Sequence, residues 1–242
     1  APELLAGARA DFDVVGIHAH AGSGISGDDL DAHRELVSRM GDIARDVIDD
    51  VTSLEFVNVG GGLGVPYRED EPSLDLDAVA EATRTALGDV DATLGIEPGR
   101  YFVADAGVLL ATVNTVKETA ETTVVGVDAG MTTLIRPAMY DSYHEIRSLA
   151  PDAADRDEVS AMVAGPICET ADVFGRDRPL PAPERDDVLA VGNAGAYGYE
   201  MSSQYNSRPR PAVVAIDGQE ATLAVRRERL ADLTTLEEQW SE

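Results

Sequence analysis

The chain has 242 residues, of which 44% are hydrophobic, so it is long enough for one large domain or two smaller ones with their own cores. Its 45 acidic and 19 basic residues give a formal net charge of −26, which excludes nucleic acid and anionic membranes as partners. The sequence contains no run of about 18 apolar residues, so we expect no membrane-spanning segment.

Strand and helix signals alternate through residues 1–112. Short apolar runs predict strands in "FDVVGIHAH", "LEFVNV" and "ATLGI", and helically spaced apolar residues predict amphipathic helices in "DDLDAHRELVSRMGDIARDVIDD" and "LDAVAEATRTAL". This β-α-β-α-β order is typical of a parallel sheet or barrel. A polar segment follows each strand, at the edge where α/β folds bind their ligands.

Residues 113–242 have a different pattern. Short β-type runs separated by Gly, Pro and Asp, with little helical periodicity before "RLADLTTLEEQW", predict a mostly β domain. We interpret "SLAPDAADRDEVS" as an exposed loop. Because a parallel barrel needs about eight strands, and an open three-stranded sheet has bare edges, we interpret the whole as an α/β part followed by an all-β domain, together the C-terminal part of a larger protein.

Two glycine-rich segments hold candidate cofactor-binding residues. In "NVGGGLG", the backbone N–H groups of Gly60–Gly62 can converge on a phosphate, and a plain tight turn is the alternative. In "GIHAHAGSG", the His20 ring can lie over an aromatic cofactor and Ser23 can bind its phosphate, whereas we interpret His18 as a core histidine. Because Cys and carboxylate partners at metal-binding spacing are missing nearby, we predict no metal site.

Four further segments carry candidate residues for catalysis or substrate binding. A carboxylate in "GIEPGRYF" can hold a pyridine nitrogen protonated, and the arginine that follows can bind phosphate or carboxylate through two hydrogen bonds. An arginine next to proline in "LIRPAMY" predicts a buried guanidinium that binds an anion. The alternative for each is ordinary loop chemistry. The residues are Glu97 and Arg100, Arg136 and Tyr140, Cys168 and Glu169 in "GPICETAD", and Tyr197 in "GAYGYEMSSQYNSRPRP".

Together these segments resemble the diaminopimelate decarboxylases, in the alanine-racemase-like class of pyridoxal phosphate enzymes. The resemblance rests on "HAHAGSG", "VGGGLGVPY", "EPGRYFV", "VDAGM", "RPAMY", "GPICETAD" and "GAYGYEMSSQYNSRPRP", in that order. It implies the last three βα units of a TIM-type barrel that carries pyridoxal phosphate, over 1–112, and a C-terminal β domain over 113–242. It also implies decarboxylation of meso-diaminopimelate to L-lysine, the last step of lysine biosynthesis, by a cytoplasmic homodimer.

The resemblance assigns a role to each candidate residue. His20 would stack on the pyridine ring, and Glu97 would pair with the ring nitrogen. Cys168 would be the proton donor after decarboxylation and Glu169 would recognise the distal amino group, both in the active site of the partner subunit. The cofactor site would further include Ser23, Gly60, Gly61, Gly62, Gly99, Arg100 and Tyr197, and the substrate would contact Arg100, Arg136, Tyr140 and Tyr197.

The only lysine of the chain is not expected to bind the cofactor. The resemblance places the Schiff-base lysine upstream of the histidine segment, in a region that we expect to precede this chain. Lys117 is flanked by Glu118 and Glu121, which would keep it charged, so we predict a solvated lysine at a strand end. A carboxynorspermidine or an arginine/ornithine-type substrate stays open, as does an inactive truncated fragment.

Two features of the composition predict the environment of the protein. A single cysteine, Cys168, excludes an intrachain disulfide, and a reducing cytoplasm is then the expected location. The many acidic residues and the near absence of lysine indicate a halophilic protein, because molar salt shortens the screening length to about 3 Å and so weakens repulsion between like charges.

Overall fold

A computed structural model describes residues 2–26 and 30–238 of the chain. The described residues divide into two compact units, one ending at Ala104 and the other beginning at Asp105. This division precedes the predicted boundary at residue 112, because the strand that begins at Leu109 pairs with a strand of the second unit. Within residues 2–26 and 30–238, no helix is long and apolar enough to cross a membrane.

The first unit has the predicted β-α-β-α-β order, with a short helix added at each end. Its three strands are parallel and lie in the order β1-β2-β3, and α2 and α3 connect them. Its elements are α1 (Pro2–Ala8), β1 (Gly16–His18), α2 (Asp31–Asp50), β2 (Phe56–Gly61), α3 (Leu76–Leu87), β3 (Thr93–Glu97) and α4 (Gly99–Val103).

The two long helices of this unit are amphipathic. Val37 and Val47 of α2 are fully buried in the same apolar cluster as Val57 of β2. Asp75 caps α3, since its side chain accepts hydrogen bonds from the backbone N–H groups of the first turn, at 2.9 and 3.1 Å. Gly88, with a φ of +71°, ends the same helix. The helically spaced apolar residues of α2 thus face the core, and Asp75 and Gly88 bound α3.

The second unit is built around a mixed six-stranded sheet in the order β6-β9-β4-β5-β7-β8, with a separate β10-β11 hairpin. Val113, Val125, Val163 and Leu189 are fully buried in its core. The predicted class, α/β followed by all-β, is therefore confirmed. The elements are β4 (Leu109–Glu118), β5 (Thr123–Val127), α5 (Arg136–Tyr140), β6 (Ile146–Ser148), β7 (Glu158–Ala164), β8 (Val173–Pro181), β9 (Val188–Val191), β10 (Val213–Asp217), β11 (Glu220–Val225) and α6 (Leu230–Leu233).

Three strands of this sheet lack a clear sequence signal. The segment "SLAPDAADRDEVS" is a loop only in its middle, since Ser148 closes β6 and Glu158 opens β7. Strand β8 contains Pro179 and Pro181, which have no N–H to donate to a ladder. The two prolines are tolerated because β8 lies at the edge of the sheet.

The helix predicted in "RLADLTTLEEQW" is short. Only α6, Leu230–Leu233, is helical, and a turn follows at Thr234 and Thr235. Threonine has a low helix propensity, which accounts for this early end. Residues 239–240 of the predicted helix lie outside the described residues.

Candidate active site

The carboxyl ends of the three parallel strands bring three polar side chains together. Strand register places His18 beside Asn58, and Asn58 beside Gly95, two residues before Glu97. The Asn58 Nδ2 group donates to Glu97 Oε1 at 3.0 Å, and His18 Nε2 lies 3.3 Å from Glu97 Oε2. The Glu97 carboxylate is therefore held in place by side chains of the other two strands, β2 and β1.

This carboxylate remains open to a ligand. About half of its side chain is exposed, at 52%, and the value for His18 is 48%. Each carboxylate oxygen has a second lone pair, so Glu97 can accept a further hydrogen bond. The interpretation of His18 as a core histidine is wrong, because the imidazole lies at the open end of the sheet. The sequence pattern did not single out Asn58 either.

The glycines after β2 are required by close backbone contacts. A Cβ on Gly60 would lie 2.6 Å from the Ala19 carbonyl oxygen, and one on Gly61 would lie 1.9 Å from the Glu97 carbonyl oxygen. Gly60 also has a φ of +75°, which disfavours any side chain. The close contacts alone thus account for glycine at these positions, as the tight-turn alternative requires.

The N–H groups of the first two glycines already have partners. Gly60 N donates to Asn58 Oδ1 at 2.8 Å, and Gly61 N donates to His20 Nδ1 at 3.1 Å. The second bond fixes the orientation of the exposed His20 imidazole. In this conformation these two N–H groups are therefore not the donors that a phosphate would meet.

The turn that contains Ser23 lies against the third glycine. Gly24 N and Ile25 N both donate to the Gly62 carbonyl, at 3.0 and 2.9 Å. A Cβ on Gly62 would lie 2.8 Å from the Gly22 carbonyl oxygen, so only glycine permits this approach. The exposed Ser23 hydroxyl is thus placed next to the glycine segment, as the predicted phosphate site requires.

Arg100 follows the Glu97 carboxylate in a helical turn. It lies in α4, which begins at Gly99, and its Nη1 group donates to the Tyr67 hydroxyl at 2.8 Å. Its guanidinium is also 5.9 Å from the centre of the Tyr67 ring, within the range of a cation–π contact. Tyr67 belongs to "VGGGLGVPY" and was not predicted as a site residue. Its hydroxyl orients the arginine beside the strand ends.

In the second unit, Arg136 opens α5 and its side chain is buried. The residue is 7% exposed, and its Nη1 group donates to His144 Nε2 at 2.9 Å. His144 is fully buried and bonds through Nδ1 to the Gly192 carbonyl at 2.8 Å. Tyr140, at the other end of α5, is exposed. No sequence signal pointed to His144.

The segment "GPICETAD" is a loop with an exposed cysteine and glutamate. The Tyr205 hydroxyl donates to Glu169 Oε1 at 2.5 Å, and this carboxylate raises the pKa of the Tyr205 phenol. Asn206 Nδ2 lies 3.9 Å from Cys168 Sγ. The side chains of the turn at residues 205–207 therefore contact both predicted active-site residues of the loop.

A buried carboxylate, that of Asp172, holds the "GPICETAD" loop through hydrogen bonds to backbone N–H groups. Asp172 is 2% exposed, and its side chain accepts hydrogen bonds from Ile167 N at 2.9 Å and Met131 N at 2.6 Å. A Cβ on Gly130 or Gly165 would lie 2.3 or 2.2 Å from Asp172 Oδ1. The motifs "VDAGM" and "GPICETAD" are thus joined through one aspartate, whose role the sequence did not reveal.

Tyr197 has a constrained backbone. Its φ is +57°, a left-handed conformation that is uncommon for a residue other than glycine, and the residue is 46% exposed. The next residue, Gly198, packs so closely that a Cβ would lie 2.2 Å from the Ala194 carbonyl oxygen. The loop thus determines where the tyrosine ring points, as its glycine-rich sequence predicts.

A family described as "Pyridoxal-dependent decarboxylase, C-terminal sheet domain" matches residues 26–195. The chain belongs to this decarboxylase family. Similar proteins include the diaminopimelate decarboxylase of Methanothermobacter thermautotrophicus, 45% identical over 92% of this chain and 53% of that protein. The diaminopimelate decarboxylase of Escherichia coli K12 is 40% identical over 95% of this chain and 57% of that protein.

A solved structure of the same family has a similar fold. The diaminopimelate decarboxylase of Helicobacter pylori, crystallised with L-lysine, superposes with a TM-score of 0.89 at 37% identity, over 97% of this chain and 57% of that one. The chain therefore spans a little more than half the length of these decarboxylases.

The residues of the first unit suit the cofactor named by this decarboxylase family. Glu97 offers an accessible carboxylate for a ring nitrogen, and the Ser23 turn lies beside Gly62, where a phosphate could be held.

Lys117 is exposed in β4, as predicted for a solvated lysine. Among residues 2–26 and 30–238, no group of three His, Cys, Asp or Glu side chains could hold a metal ion, and the expectation of a metal-free site remains a prediction.

Proposed function

We propose that the full-length gene product uses pyridoxal phosphate to decarboxylate meso-diaminopimelate to L-lysine in the cytoplasm. The observation that carries the proposal is the Glu97 carboxylate, held by Asn58 and His18 at the open end of the parallel sheet. The names of the relatives and the L-lysine in the Helicobacter pylori complex support this substrate and product. The three parallel strands would form part of a barrel of about eight.

The cofactor would be held by residues at this edge of the sheet. When bound, pyridoxal phosphate supplies an electron-accepting ring that stabilises the negative charge left when carbon dioxide departs. An ionised Glu97 would keep the ring nitrogen protonated, and the hydrogen bonds from its neighbours would keep the carboxylate in place. His20, Ser23, Gly62, Gly99 and Arg100 would bind the cofactor there too, and the resemblance adds Tyr197 of the second unit. Gly60 and Gly61 would contribute by permitting the close backbone contacts of the site.

The substrate would be recognised by charge. A molecule with two carboxylates and two amines requires cationic groups for the first and an anionic group for the second, and Arg100, Arg136 and Glu169 match this need. Tyr140 and Tyr197 would complete the substrate site, and Cys168 would donate the proton to the carbon that has lost carbon dioxide.

Diaminopimelate differs from ornithine and arginine in having a second carboxylate. An enzyme acting on ornithine or arginine has less use for an arginine at position 136, which favours diaminopimelate over these alternatives. Arg136→Ala and Glu169→Ala test the assignment. Equal loss of activity on monocarboxylate substrates would count against diaminopimelate.

A homodimer would complete the active site. Cys168 is exposed, and Glu169 lies beside it on the same loop, so both are available to a partner subunit. Light scattering of the full-length protein across its working concentration measures the state directly. A monomer with full activity would overturn this part of the proposal.

Replacement of Glu97 tests the function as a whole. Because Glu97→Gln removes the negative charge but keeps the shape, we expect kcat for lysine formation to fall by roughly 10²–10³. Lysine released from meso-diaminopimelate by the full-length protein, with added pyridoxal phosphate, is measured by chromatography.

Glu81→Gln is the matched control, since Glu81 is an exposed residue of α3 and loses the same charge. Unchanged kcat in Glu97→Gln would contradict the proposed role of this carboxylate. A parent protein that forms no lysine would favour the inactive-protein alternative.

A further inference from the structure

We infer that His144 is a positioning residue that orients the Arg136 guanidinium toward a substrate carboxylate. The inference rests on the function proposed above, in which Arg136 contacts the substrate. His144 itself touches neither substrate nor cofactor in this assignment. It would act only through the arginine.

The contacts form one continuous path through the second unit. Arg136 Nη1 lies 2.9 Å from His144 Nε2, and His144 Nδ1 lies 2.8 Å from the Gly192 carbonyl oxygen. Gly192 directly follows β9, and its N–H donates to the Glu145 carbonyl at 2.9 Å. The imidazole is therefore anchored to the ends of two paired strands, and the arginine is anchored to the imidazole.

Donor and acceptor chemistry determines the state of the ring. A guanidinium only donates and a carbonyl only accepts, so Nε2 of His144 must be an acceptor and Nδ1 must carry the proton. His144 is thus neutral and in a single tautomer. Protonation would abolish the acceptor and place a second positive charge beside Arg136.

A neutral acceptor suits an arginine that must bind an anion. A carboxylate in the place of His144 would orient the guanidinium equally well, but it would also offset the positive charge that attracts the substrate. The imidazole restricts the orientation of the Arg136 guanidinium without adding a negative charge. Complete burial strengthens the effect, because a hydrogen bond shielded from water holds its geometry better than an exposed one.

Two substitutions separate the two hydrogen bonds of the ring. In His144→Gln, the side-chain oxygen reaches the position of Nε2 and can still accept from Arg136. In His144→Asn, the shorter amide can still donate to Gly192 but does not reach the arginine. The pair thus removes one contact at a time while both variants keep a polar side chain.

The steady-state kinetics of the full-length protein with meso-diaminopimelate provide the test. We expect His144→Asn to raise KM about tenfold with kcat little changed, since a lost hydrogen bond to a charged group acts on binding. We expect His144→Gln to stay close to the parent. Equal increases of KM in both variants, or none in His144→Asn, would overturn the inference.

A double-mutant cycle distinguishes positioning from a general structural effect. If His144 acts through Arg136, then His144→Asn causes no further rise of KM in an Arg136→Ala background. An additional rise of similar size in that background would show an independent, structural role and contradict the inference.

A spectroscopic measurement covers the case in which His144→Asn does not fold. Nitrogen NMR of the ¹⁵N-histidine-labelled parent, assigned with His144→Gln, reports the tautomer and the charge of the ring. We expect a neutral ring with the proton on Nδ1 at neutral pH. A charged ring or the other tautomer would overturn the inference, and a parent that makes no lysine would overturn the proposed function instead.

Discussion

Gly61 of β2 pairs with Glu97 of β3, the residue that carries the carboxylate at the site. The carbonyl oxygen of Glu97 would lie 1.9 Å from a Cβ at this position, well inside any allowed contact. The same glycine donates its N–H to His20. A side chain here would therefore push apart the two residues that the proposed function uses for the cofactor ring.

Gly61→Ala is expected to destabilise the protein and to weaken cofactor binding. Overpacking of a tight contact costs about 1–3 kcal/mol, and the displaced strand carries Glu97 with it. Denaturant unfolding gives the change in the free energy of unfolding, and a titration with pyridoxal phosphate gives the change in affinity.

Gly7→Ala provides the control for this change. Gly7 lies in α1, and a Cβ at this position would have no atom within 4 Å, so alanine is accommodated there. If Gly61→Ala binds the cofactor as tightly as Gly7→Ala, then the close contact does not position the site.

The short helix α6 illustrates how a charged contact holds an element in place. Arg226 donates to both carboxylate oxygens of Asp232, at 2.6 and 2.8 Å, and the Arg229 N–H donates to the same side chain at 2.6 Å. These bonds, with that from Arg226 the strongest cause, lower the pKa of Asp232 below its ordinary value. The carboxylate thus joins the end of the preceding segment to the first turn of α6.

The lowered pKa predicts a definite pH dependence. Because the folded state binds the proton less readily than the unfolded chain, the stabilisation is fully present above the ordinary aspartate pKa of about 3.9. It is lost as the pH falls through the lower pKa of the folded state. We therefore expect Asp232→Asn to reduce the thermal midpoint at pH 7, and the deficit relative to the parent to shrink below about pH 3.9.

Hydrogen exchange tests whether the stabilisation by Asp232 is confined to α6 and the segment before it. Amides of residues 226–233 should exchange faster in Asp232→Asn at neutral pH, while those of the central sheet stay unchanged. Asp217→Asn, an exposed aspartate at the end of β10, is the control. A deficit that is the same at acid and neutral pH would refute the electrostatic explanation.

At the scale of the whole molecule, acidic side chains far outnumber basic ones, at 45 to 19. The net charge is −26, and among residues 2–26 and 30–238 most of the ion pairs are exposed, as between Arg39 and Glu35 or Arg34 and Asp31. Exposed pairs each contribute about 0–1 kcal/mol and are weakened by salt. The many unbalanced carboxylates repel one another over the screening length, which is about 10 Å at 0.1 M salt and about 3 Å at 1 M.

We therefore expect the stability of the protein to rise with salt. The thermal midpoint should increase from low salt to molar potassium chloride, with most of the gain before the screening length falls below the spacing of the charges. Sorbitol at equal osmolality controls for effects that do not depend on charge. Equal stability at low and molar salt would contradict a halophilic adaptation.

Local signals were sufficient for the three strands and the two long helices of the first unit, but not for its short helices α1 and α4. Apolar residues at helical spacing predict α2 and α3, and the cap at Asp75 and the glycine at position 88 mark the ends of α3. These signals depend on interactions between residues a few positions apart, so they can be recognised in the sequence alone. Strand β8 was not predicted, since Pro179 and Pro181 are compatible with a strand only at a sheet edge, and edge position is a property of the assembled sheet.

The sequence by itself determined the fold class, the family resemblance and the candidate residues, because periodicity, turn chemistry and motif order are written along the chain. The tertiary structure alone decided which side chains support them. His18 reaches Glu97 across 79 residues, Asn58 reaches it across 39, and His144 reaches Gly192 across 48. Such partners are chosen by strand register and by burial, which depend on how distant segments pack and leave no local pattern in the sequence.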